Sequence, residues 1–458
     1  MTAEQVDVVV IGMGPGGEHV AGRLAEAGLS VVGVDQRLVG GECPYFGCVP
    51  TKMMVRAAGL IAEGRRVPGL AGESSVQADW REVARRIREQ ATDNWDDKVA
   101  VRRFTDTGGT FLRGRATLTG KNEVLVTGPD GAEHRLTARR AIVVNTGTEP
   151  VVPPIPGLAG TPYWTNRDAV ALELLPSSVA ILGGGAIGVE FAQVFARFGV
   201  EVTVVEAHPR LLALEEPEAG ELLAKVLETE GVAVRTGAKV TGVRHNDKDG
   251  FVLDLDGSTV GADKLLVATG RRTDLAGLGV GALGLDERAR SLDVDERLRV
   301  TDGVWAVGDI TGKGAFTHTS MYQADVVIRD VLGQDGPPAD YRAMPRVTFT
   351  DPEVGAVGIT EAQARERGIT VRTGRTELSA SSRGWIHGPG NEGLIKVVED
   401  ADRGVLVGAT AMGPAGGEIL GALAVAVHGE VPVERLQSMI YAYPTFHRAI
   451  STALADLS

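Results

Sequence analysis

Two cysteines, Cys43 and Cys48, are the only ones in the 458-residue chain, and both lie in the segment GGECPYFGCVPTK. Thiols at this spacing can bind a metal, form a static disulfide or act as a redox pair. A structural zinc site needs about four ligands, and no further cysteine or nearby histidine completes one. A redox pair is favoured, because closely spaced thiols open and close a small-loop disulfide readily through thiolates of low pKa.

The composition disfavours several classes of protein. With 47 Lys and Arg against 60 Asp and Glu, the formal net charge is −13, which argues against a nucleic-acid or membrane-surface partner. The start, MTAEQVDVVVIG, has no basic region, and its apolar run is too short for a signal peptide or a membrane span. We therefore expect a cytoplasmic protein, in which a static disulfide is uncommon.

Two stretches of the chain share one pattern: a β-branched run, a glycine-rich turn, a helix, and a second β run that ends in an acid. In the first copy these landmarks are Val6–Ile11, the glycines Gly12, Gly14 and Gly17, and Asp35. In the second copy they are Val179–Leu182, the glycines Gly183, Gly185 and Gly188, and Glu206. In both copies the acid follows the third glycine by 18 positions.

This spacing has a physical reason. The first glycine makes the tight turn, the second lets the backbone approach a pyrophosphate, and the third lets the helix pack on the strand. Phosphates bind at the helix N-terminus, and the acid accepts hydrogen bonds from ribose hydroxyls. One such turn can be only a turn, but two copies with matched strands, helices and acids predict two dinucleotide-binding sites.

The rest of the chain supplies coarser signals. Val143–Pro150 and Leu266–Asp274 are both β runs that enter a Thr-Gly turn, and each predicts a crossing point between domains. The segments VPPIPG and GQDGPPAD indicate linkers, and the alternating and then helical sequence after the second one predicts an α+β domain. Apolar residues at a helical period also predict one helix over Arg81–Val99.

As a set, these motifs resemble the class I pyridine nucleotide–disulfide oxidoreductases. That family includes lipoamide dehydrogenase, glutathione reductase, mycothione reductase and mercuric reductase. The likeness extends over essentially the whole chain and includes VWAVGDITG (Val304–Gly312) and FTDPEVGAVG (Phe349–Gly358). It implies bound FAD in the first nucleotide site, NADH or NADPH in the second, and a homodimer whose active site is shared between subunits.

The resemblance also implies an α/β fold class with two Rossmann-like dinucleotide-binding domains and a C-terminal α+β dimerisation domain. The expected domains are a two-part FAD-binding domain (1–150 and 271–340), an NAD(P)-binding domain (151–270) and an interface domain (341–458). No metal site is expected. The expected cofactor-binding residues are Gly12, Gly14, Gly17, Asp35, Gly41, Lys52, Arg115, Thr146, Gly147, Asp309, Thr317, Gly183, Gly185, Gly188, Glu206, Val240 and Gly270.

By the same resemblance, the redox pair has divided roles. Cys48 is expected to face the flavin and Cys43 to attack the substrate, while Lys52 lies near flavin N5. Glu190 is the expected ion-pair partner of Lys52, since a buried lysine beside a flavin needs a counter-charge. The alternative for Glu190 is a solvated carboxylate on a helix.

Glu206 bears on the choice of nicotinamide. An acid at this place accepts hydrogen bonds from a ribose 2′-hydroxyl and repels a 2′-phosphate, so NADH is expected. His208 and Arg210 lie just beyond and are either surface residues or a phosphate site, so NADPH stays open.

The C-terminal segment departs from the family. Disulfide reductases of this family carry His-Pro-Thr-x-x-Glu, whose His is the acid–base group and whose Glu orients it, whereas here Tyr443 and Arg448 stand at those two places. A positioned acid–base group contributes about 10²–10⁴-fold in rate. His447 is a possible replacement if Pro444 opens a helix that brings Tyr443 and His447 to one face, and a surface or packing histidine otherwise.

Two further departures bear on the acceptor. Mercuric reductases carry a tyrosine near the place of Tyr443, but they also use a cysteine pair near the C-terminus, and this chain ends ISTALADLS. Glu42 stands where threonine is usual, and its carboxylate is expected to raise the thiol pKa of Cys43 if the two are close.

Three functions therefore compete. The first is an FAD-dependent enzyme that passes electrons from NADH through Cys43 and Cys48 to a small or protein-borne disulfide. The second is an NAD(P)H reductase of quinones or metal ions, favoured by the loss of the His–Glu pair. The third is a flavoprotein without catalysis, such as a redox sensor.

Overall fold

The computed structural model describes residues 3–458. Its strands are β1 (Glu4–Ile11), β2 (Val31–Asp35), β3 (Thr110–Arg113), β4 (Arg115–Gly120), β5 (Glu123–Thr127), β6 (Glu133–Val144), β7 (Glu149–Pro150), β8 (Ser178–Leu182), β9 (Glu201–Val205), β10 (Ala233–Arg235), β11 (Val240–Asn246), β12 (Gly250–Leu255), β13 (Ser258–Ala262), β14 (Lys264–Val267), β15 (Arg271–Arg272), β16 (Arg299–Thr301), β17 (Val304–Ala306), β18 (Pro345–Thr348), β19 (Glu353–Gly358), β20 (Val371–Glu377), β21 (Leu394–Asp400) and β22 (Val405–Gly413).

The α-helices are α1 (Pro15–Glu26), α2 (Glu42–Tyr45), α3 (Cys48–Arg66), α4 (Trp80–Arg86), α5 (Lys98–Thr105), α6 (Asn166–Val170), α7 (Ala186–Arg197), α8 (Pro217–Thr229), α9 (Leu275–Leu278), α10 (Thr317–Val331), α11 (Glu361–Glu366), α12 (Ser382–His387), α13 (Gly416–His428), α14 (Val433–Ser438) and α15 (Ala449–Ala455). A π-helix follows α4 at Ile87–Ala91. Within residues 3–458, no helix is both long and apolar enough to cross a membrane.

The chain folds into two compact units. The first comprises the residues up to Pro50, Arg86–Pro150 and Arg271–Asp340, and the second comprises Thr51–Arg85, Val151–Gly270 and Tyr341–Ser458. The predicted assignment of each domain to one cofactor is a separate matter and stays a prediction.

The first unit is built on a sheet in the order β16-β17-β6-β1-β2-β3, in which β17, β6, β1, β2 and β3 run parallel. Strand β1 is covered on both faces: Val8 and Val10 pack into one core cluster, while Val9 and Ile11 pack into another. This explains its unbroken β-branched run, which is typical of parallel strands that are buried on both faces. The glycine turn after β1 therefore starts from a rigid support.

The second unit contains three separate sheets. A parallel sheet in the order β10-β9-β8-β14 carries the second glycine turn, and an antiparallel sheet of β11-β12-β13 follows it in sequence. The third, in the order β18-β19-β22-β21-β20, is antiparallel and packs against α13. The predicted α/β fold with a C-terminal α+β region is confirmed.

The helix predicted over Arg81–Val99 is wrong in its second half. Helix α4 passes into the π-helix, and the chain then turns left-handed at Asp93, Asn94 and Trp95, with φ of 46°, 55° and 57°. A new helix, α5, begins at Lys98. Aspartate and asparagine adopt this conformation more readily than other side chains, and the contacts of Trp95 described below explain why the helical period is overridden here.

Candidate redox site and nucleotide turns

The two glycine turns make the same pair of close approaches. In the first, a Cβ on Gly12 would lie 2.3 Å from the Asn145 carbonyl oxygen, and a Cβ on Gly17 would lie 2.0 Å from that of Gly12. In the second, the corresponding distances are 2.4 Å from Gly183 to the Ala268 carbonyl oxygen and 2.0 Å from Gly188 to that of Gly183. Only glycine fits at these four positions, as predicted.

The middle glycine of each turn leaves a helix N-terminus without a side-chain cap. Gly14 precedes α1 and Gly185 precedes α7. Glycine has no side chain, so neither residue caps its helix with a side-chain hydrogen bond. A Cβ on Gly185 would meet no atom of the described chain within 4 Å. Backbone N–H groups and the helix dipole make such an end suitable for an anion, so both turns fit a pyrophosphate.

The two acids bind the backbone in the same manner. Asp35 accepts hydrogen bonds from the Met13 and Arg37 N–H groups at 2.8 and 2.7 Å. Glu206 accepts them from the Gly184 and His208 N–H groups at 2.6 and 2.7 Å. Each carboxylate oxygen retains acceptor capacity, so both acids fit a ribose hydroxyl. Burial raises the pKa of Asp35 despite these two bonds.

A polar network surrounds Asp309 in the first unit. The Thr148 hydroxyl donates to Asp309 Oδ2 at 2.7 Å, and Arg271 donates to both the hydroxyl and the carbonyl of Thr148. The Arg271 guanidinium also lies 3.7 Å from Glu42. Sequence reasoning missed Thr148 and Arg271, although both adjoin the Thr-Gly turns that it singled out.

Two buried amides hold the first glycine turn and the segment that follows β17. Asn145 Nδ2 donates to the Gly12 carbonyl at 3.2 Å and Asn145 Oδ1 accepts from the Ser320 hydroxyl at 3.3 Å. Gln323, fully buried, accepts from the Gly308 N–H and donates to Thr311. No sequence pattern indicated Gln323, because its role depends on where α10 packs.

The two cysteines meet at the start of α10. Cys43 lies in α2, Cys48 is the first residue of α3, and both are thiols in the structure. Cys48 Sγ lies 3.7 Å from the Thr317 hydroxyl, at the first residue of α10. Sequence reasoning expected Thr317 to contact FAD only, so its contact with the redox pair is a new feature.

The pKa of Cys43 is raised. A hydrogen bond with Cys48 and burial raise it, and a hydrogen bond with Thr317 opposes them. The expectation of a raised pKa is met, but the main cause is Cys48 rather than Glu42, whose carboxylate instead faces Arg271. Cys43 is therefore held as a thiol more firmly than the general picture of low-pKa redox cysteines implies.

Gly41 connects the cysteine segment to the first glycine turn. It has φ of 67°, and a Cβ there would lie 2.9 Å from the Gly14 Cα. The neighbouring Gly40 N–H donates to the Met13 carbonyl at 2.7 Å. The cysteine segment thus packs backbone to backbone on the first glycine turn.

The predicted Lys52–Glu190 ion pair is present in the second unit. Lys52 Nζ lies 2.6 Å from Glu190 Oε2 and 4.7 Å from the centre of the Phe349 ring. Glu190 is only 7% exposed, and its other oxygen accepts the Phe349 N–H at 2.8 Å. The alternative of a solvated carboxylate is wrong, whereas the role of the pair in catalysis stays a prediction.

Sequence reasoning missed that α7 holds the segment after Phe349. Gln193 bonds both the N–H and the carbonyl of Asp351, and the guanidinium of Arg197 lies 2.8 Å from the Asp351 carboxylate. Glu190, Gln193 and Arg197 recur at helical spacing, so one face of α7 binds the FTDPE motif. The signal available in the sequence was the helical spacing of these three polar residues in an otherwise apolar stretch.

Comparison with known proteins decides the family. Residues 6–324 match the family model "Pyridine nucleotide-disulphide oxidoreductase", and residues 344–454 match the dimerisation domain of the same family. The chain belongs to the pyridine nucleotide–disulfide oxidoreductases. Members of this family use FAD and NAD(P)H, so the predicted cofactors and the predicted enzyme class are confirmed, and the dimerisation domain supports the predicted homodimer.

Relatives within the family are named for different activities. A dihydrolipoyl dehydrogenase of Chlorobaculum tepidum is 34% identical over 99% of this chain and 97% of its own. A mercuric reductase of Acidithiobacillus ferrooxidans is 31% identical over 98% of this chain and 82% of its own. The solved structure of the HOCl-induced flavoprotein disulfide reductase RclA of Escherichia coli has a TM-score of 0.85 at 28% identity, covering 98% of this chain and 99% of that one.

The C-terminal segment lacks the helix on which a role of His447 as replacement depended. Pro444 lies in a turn and opens no helix, and α15 begins only at Ala449. The Thr445 hydroxyl donates to the Ala442 carbonyl, and Arg448 donates to the Tyr441 carbonyl, which holds the turn in place of a helix.

Tyr443 and His447 therefore have different neighbours. Arg448 lies over the Tyr443 ring at 5.6 Å, and Tyr443 is 68% exposed. The His447 ring is half-buried and lies 6.2 Å from the ring of Tyr441. The packing interpretation of His447 is favoured, and its proposed sharing of a helix face with Tyr443 is wrong.

The remaining expected cofactor residues lie at several separate places in the chain. Arg115 is exposed and lies 3.3 Å from Asp274, while Val240 is buried at the start of β11. Thr146 is exposed between Asn145 and Gly147, which has φ of 65°, and Gly270 has φ of 113°. Their contacts with a cofactor stay predictions.

Proposed function

We propose that this oxidoreductase takes electrons from NADH and delivers them through Cys43 and Cys48 to a small or protein-borne disulfide. The observation that carries the proposal is the shared hydrogen bonding of the two thiols with Thr317 in a chain with two dinucleotide turns. Bound FAD supplies the transfer of two electrons between the nicotinamide and sulfur. Gly12, Gly14, Gly17, Asp35 and Asp309 are the residues proposed to hold it.

The thiols would exchange with the substrate in two steps. The Cys43 thiolate attacks one substrate sulfur, so the substrate S–S bond breaks, the first thiol leaves and a mixed disulfide forms. The Cys48 thiolate then attacks the Cys43 sulfur, and the second substrate thiol leaves. The substrate gains two electrons and two protons, and the chain is left with the Cys43–Cys48 disulfide.

Because the pKa of Cys43 is raised, the first step is expected to be pH-dependent. The thiolate is the nucleophile, and below its pKa the thiolate fraction rises tenfold per pH unit. Disulfide turnover should therefore keep rising above pH 8.5, the usual thiol pKa being about 8.5. A plateau at or below pH 8 would contradict Cys43 as the attacking group.

A second function has support of its own. Tyr443 and Arg448 replace the acid–base pair, and tyrosine with a reference pKa of about 10 is a poor base. The exposed phenol can still donate a hydrogen bond to a quinone oxygen. Relatives include a mercuric reductase and RclA, for which a Cu(II) complex is solved. We therefore keep reduction of quinones or metal ions as the alternative.

NADH is the proposed donor. Glu206 faces the second turn, and Arg210 donates to the Ala213 and Glu215 carbonyls, so that its guanidinium is engaged by the backbone. A 2′-phosphate would thus meet the Glu206 carboxylate, while the Arg210 guanidinium is held by backbone carbonyls. We also propose a cytoplasmic location, because both cysteines of the chain are assigned to redox cycling, which a reducing compartment favours.

A screen of the holoenzyme with NADH and NADPH tests both functions. Cys43→Ser should abolish turnover of every disulfide and leave quinone turnover in place. The double variant Tyr443→His with Arg448→Glu, which restores the family pair, should raise disulfide turnover by about 10²-fold, with Tyr443→Phe as the matched control. Disulfide turnover that survives in Cys43→Ser would overturn the first function, and quinone turnover below that of disulfides in the parent would overturn the second.

A further inference from the structure

A left-handed turn braces the loop between the two cysteines. Asp93, Asn94 and Trp95 all have positive φ, and the Asp96 N–H donates to the Asp93 carbonyl at 3.1 Å. For a bulky residue such as tryptophan this conformation is a genuine outlier. Three consecutive cases one residue after a π-helix need compensating contacts, and such strain is concentrated at functional sites.

Thr92 links this left-handed turn to the π-helix. Thr92 is 1% exposed, its hydroxyl donates to the Ile87 carbonyl at 3.1 Å, and it accepts the Trp95 N–H at 3.4 Å. The Asn94 N–H donates to the Arg88 carbonyl at 2.6 Å. The π-helix thus supplies the carbonyls that set the start of the left-handed turn.

From this turn Trp95 reaches the residues between the cysteines. Its indole N–H donates to the Tyr45 carbonyl at 3.2 Å, and its ring stacks on Phe46 with centroids 6.5 Å apart and planes at 23°. Two residues further on, buried Asp97 accepts the Val39 N–H at 2.7 Å, just before Gly40. Residues 95 and 97 therefore hold the cysteine loop at two points.

We propose that Trp95 is a positioning residue that sets the reduction potential of the Cys43–Cys48 pair. Closing the disulfide removes two electrons and two protons from two thiols and draws the sulfurs to bonding distance, within the loop that Trp95 holds. The structure has both cysteines as thiols with the Trp95–Tyr45 bond made. We propose that this bond is weaker in the disulfide form, so that it stabilises the dithiol form and its loss makes the pair harder to reduce. This inference rests on the proposed redox role of the cysteines.

A redox titration of the FAD-loaded enzyme in dithiothreitol buffers, read by alkylation and mass spectrometry of the cysteine peptide, tests the proposal. Trp95→Phe removes the indole N–H and keeps a ring for the stack. The equilibrium constant for reduction should fall about fivefold, the worth of one net hydrogen bond, which is about 20 mV for two electrons. Potential rather than activity is the readout, because it reports the dithiol–disulfide equilibrium itself, and the matched control accounts for general loosening of the fold.

Trp80 offers a matched control. Its indole N–H donates to the Leu172 carbonyl at 2.9 Å and its ring packs edge-on against Phe198 in the second unit. Trp80→Phe loses the same kind of bond and should leave the potential unchanged. A Trp95→Phe potential equal to the parent's, or an equal shift in Trp80→Phe, would overturn the role of Trp95 while leaving the redox function in place. A parent enzyme that forms no Cys43–Cys48 disulfide in any buffer would overturn both.

Hydrogen exchange in the parent enzyme decides the matter even if Trp95→Phe fails to fold. Reduction of the disulfide should slow exchange together in the peptides covering residues 42–48 and 92–97, with no change at 80–86. Slower exchange in 42–48 alone would contradict the brace, because the two segments would then respond independently.

Discussion

The two glycine turns make the same close approaches, but they lie in different surroundings. Asn145 packs against the first turn, and its side chain bonds Gly12 and Ser320. Ala268 packs against the second turn and has no side-chain group that could form such bonds. On the following helices, a Cβ on Gly16 would lie 2.2 Å from Ser320 Oγ, whereas Ile187 at the matching place is 37% exposed.

This difference fits the proposed division of the two turns between two kinds of cofactor. The first turn is fixed by buried hydrogen bonds and close packing against α10, which suits a group that stays bound through many turnovers. The second turn has the same cradle with an open helix start, which suits a nicotinamide that enters and leaves. We infer that the surroundings, and not the glycines, separate a resident FAD from an exchanging NADH.

The largest effect is expected from alanine at the third glycine of each turn. Cβ atoms at Gly17 and Gly188 would both lie 2.0 Å from a carbonyl oxygen, and overpacking of this kind costs about 1–3 kcal/mol or more. Gly17→Ala should purify without FAD, at least about 100-fold weaker in flavin affinity. Gly188→Ala should keep its FAD and lose reduction by NADH. Flavin absorbance and stopped-flow reduction measure both, and FAD loss in both variants alike would contradict the separation.

Removing the Asn145 side chain tests whether its hydrogen bonds distinguish the first turn from the second. Asn145→Ala deletes two buried hydrogen bonds, each worth about 1 kcal/mol, so FAD should dissociate roughly 30-fold faster. The KM for NADH should not change, because the second turn has no counterpart of this bond. Ala268→Ser is the matched change there and should leave FAD release at the parent rate. Fluorescence of released flavin on dilution gives the rate, and an unchanged rate in Asn145→Ala would sink the idea of a fixed first turn.

Glu206 and Asp35 should differ in their effect on the choice between NADH and NADPH. Glu206→Gln removes the charge that repels a 2′-phosphate, so the kcat/KM for NADPH relative to NADH should rise about tenfold, the equivalent of about 1.4 kcal/mol. Asp35→Asn should leave that ratio unchanged and affect FAD binding instead. Steady-state kinetics with both nucleotides check this, and a shifted ratio in Asp35→Asn would assign the turns the other way round.

The smallest effect is expected at Ile187. Because this side chain is exposed, Ile187→Ala should change the free energy of unfolding by less than about 0.5 kcal/mol. Gly16→Ala, at the matching place, must displace Ser320 and should lower the melting temperature clearly. Thermal unfolding of the two holoenzymes is the measurement, and equal losses would show that the second helix start is as closely packed as the first.

The nucleotide turns could be predicted from sequence because their requirements are local. The glycines and acids act within one strand–turn–helix unit, so spacing alone placed Gly12, Asp35, Gly183 and Glu206. The Lys52–Glu190 pair needed the family resemblance, since 138 positions separate the two residues.

What could not be predicted depends on tertiary contacts. Nothing local marks Asn145 or Gln323, whose amides matter only once α10 packs on the first turn. The helical period over Arg81–Val99 gave the wrong answer at Trp95, because its bond to Tyr45 and its stack on Phe46 outweigh backbone preference. At Pro444, hydrogen bonds back to residues 441 and 442 replaced the helix that proline can start.

Two electrons from NADH should reach the Cys43–Cys48 pair. Adding one equivalent of NADH per subunit to the oxidised holoenzyme without oxygen, followed by acid quenching and alkylation, tests it most directly. We predict that both cysteines become alkylated in full while the flavin absorbance returns to that of the oxidised cofactor. A flavin that stays bleached while Cys43 and Cys48 remain joined as a disulfide would contradict the account.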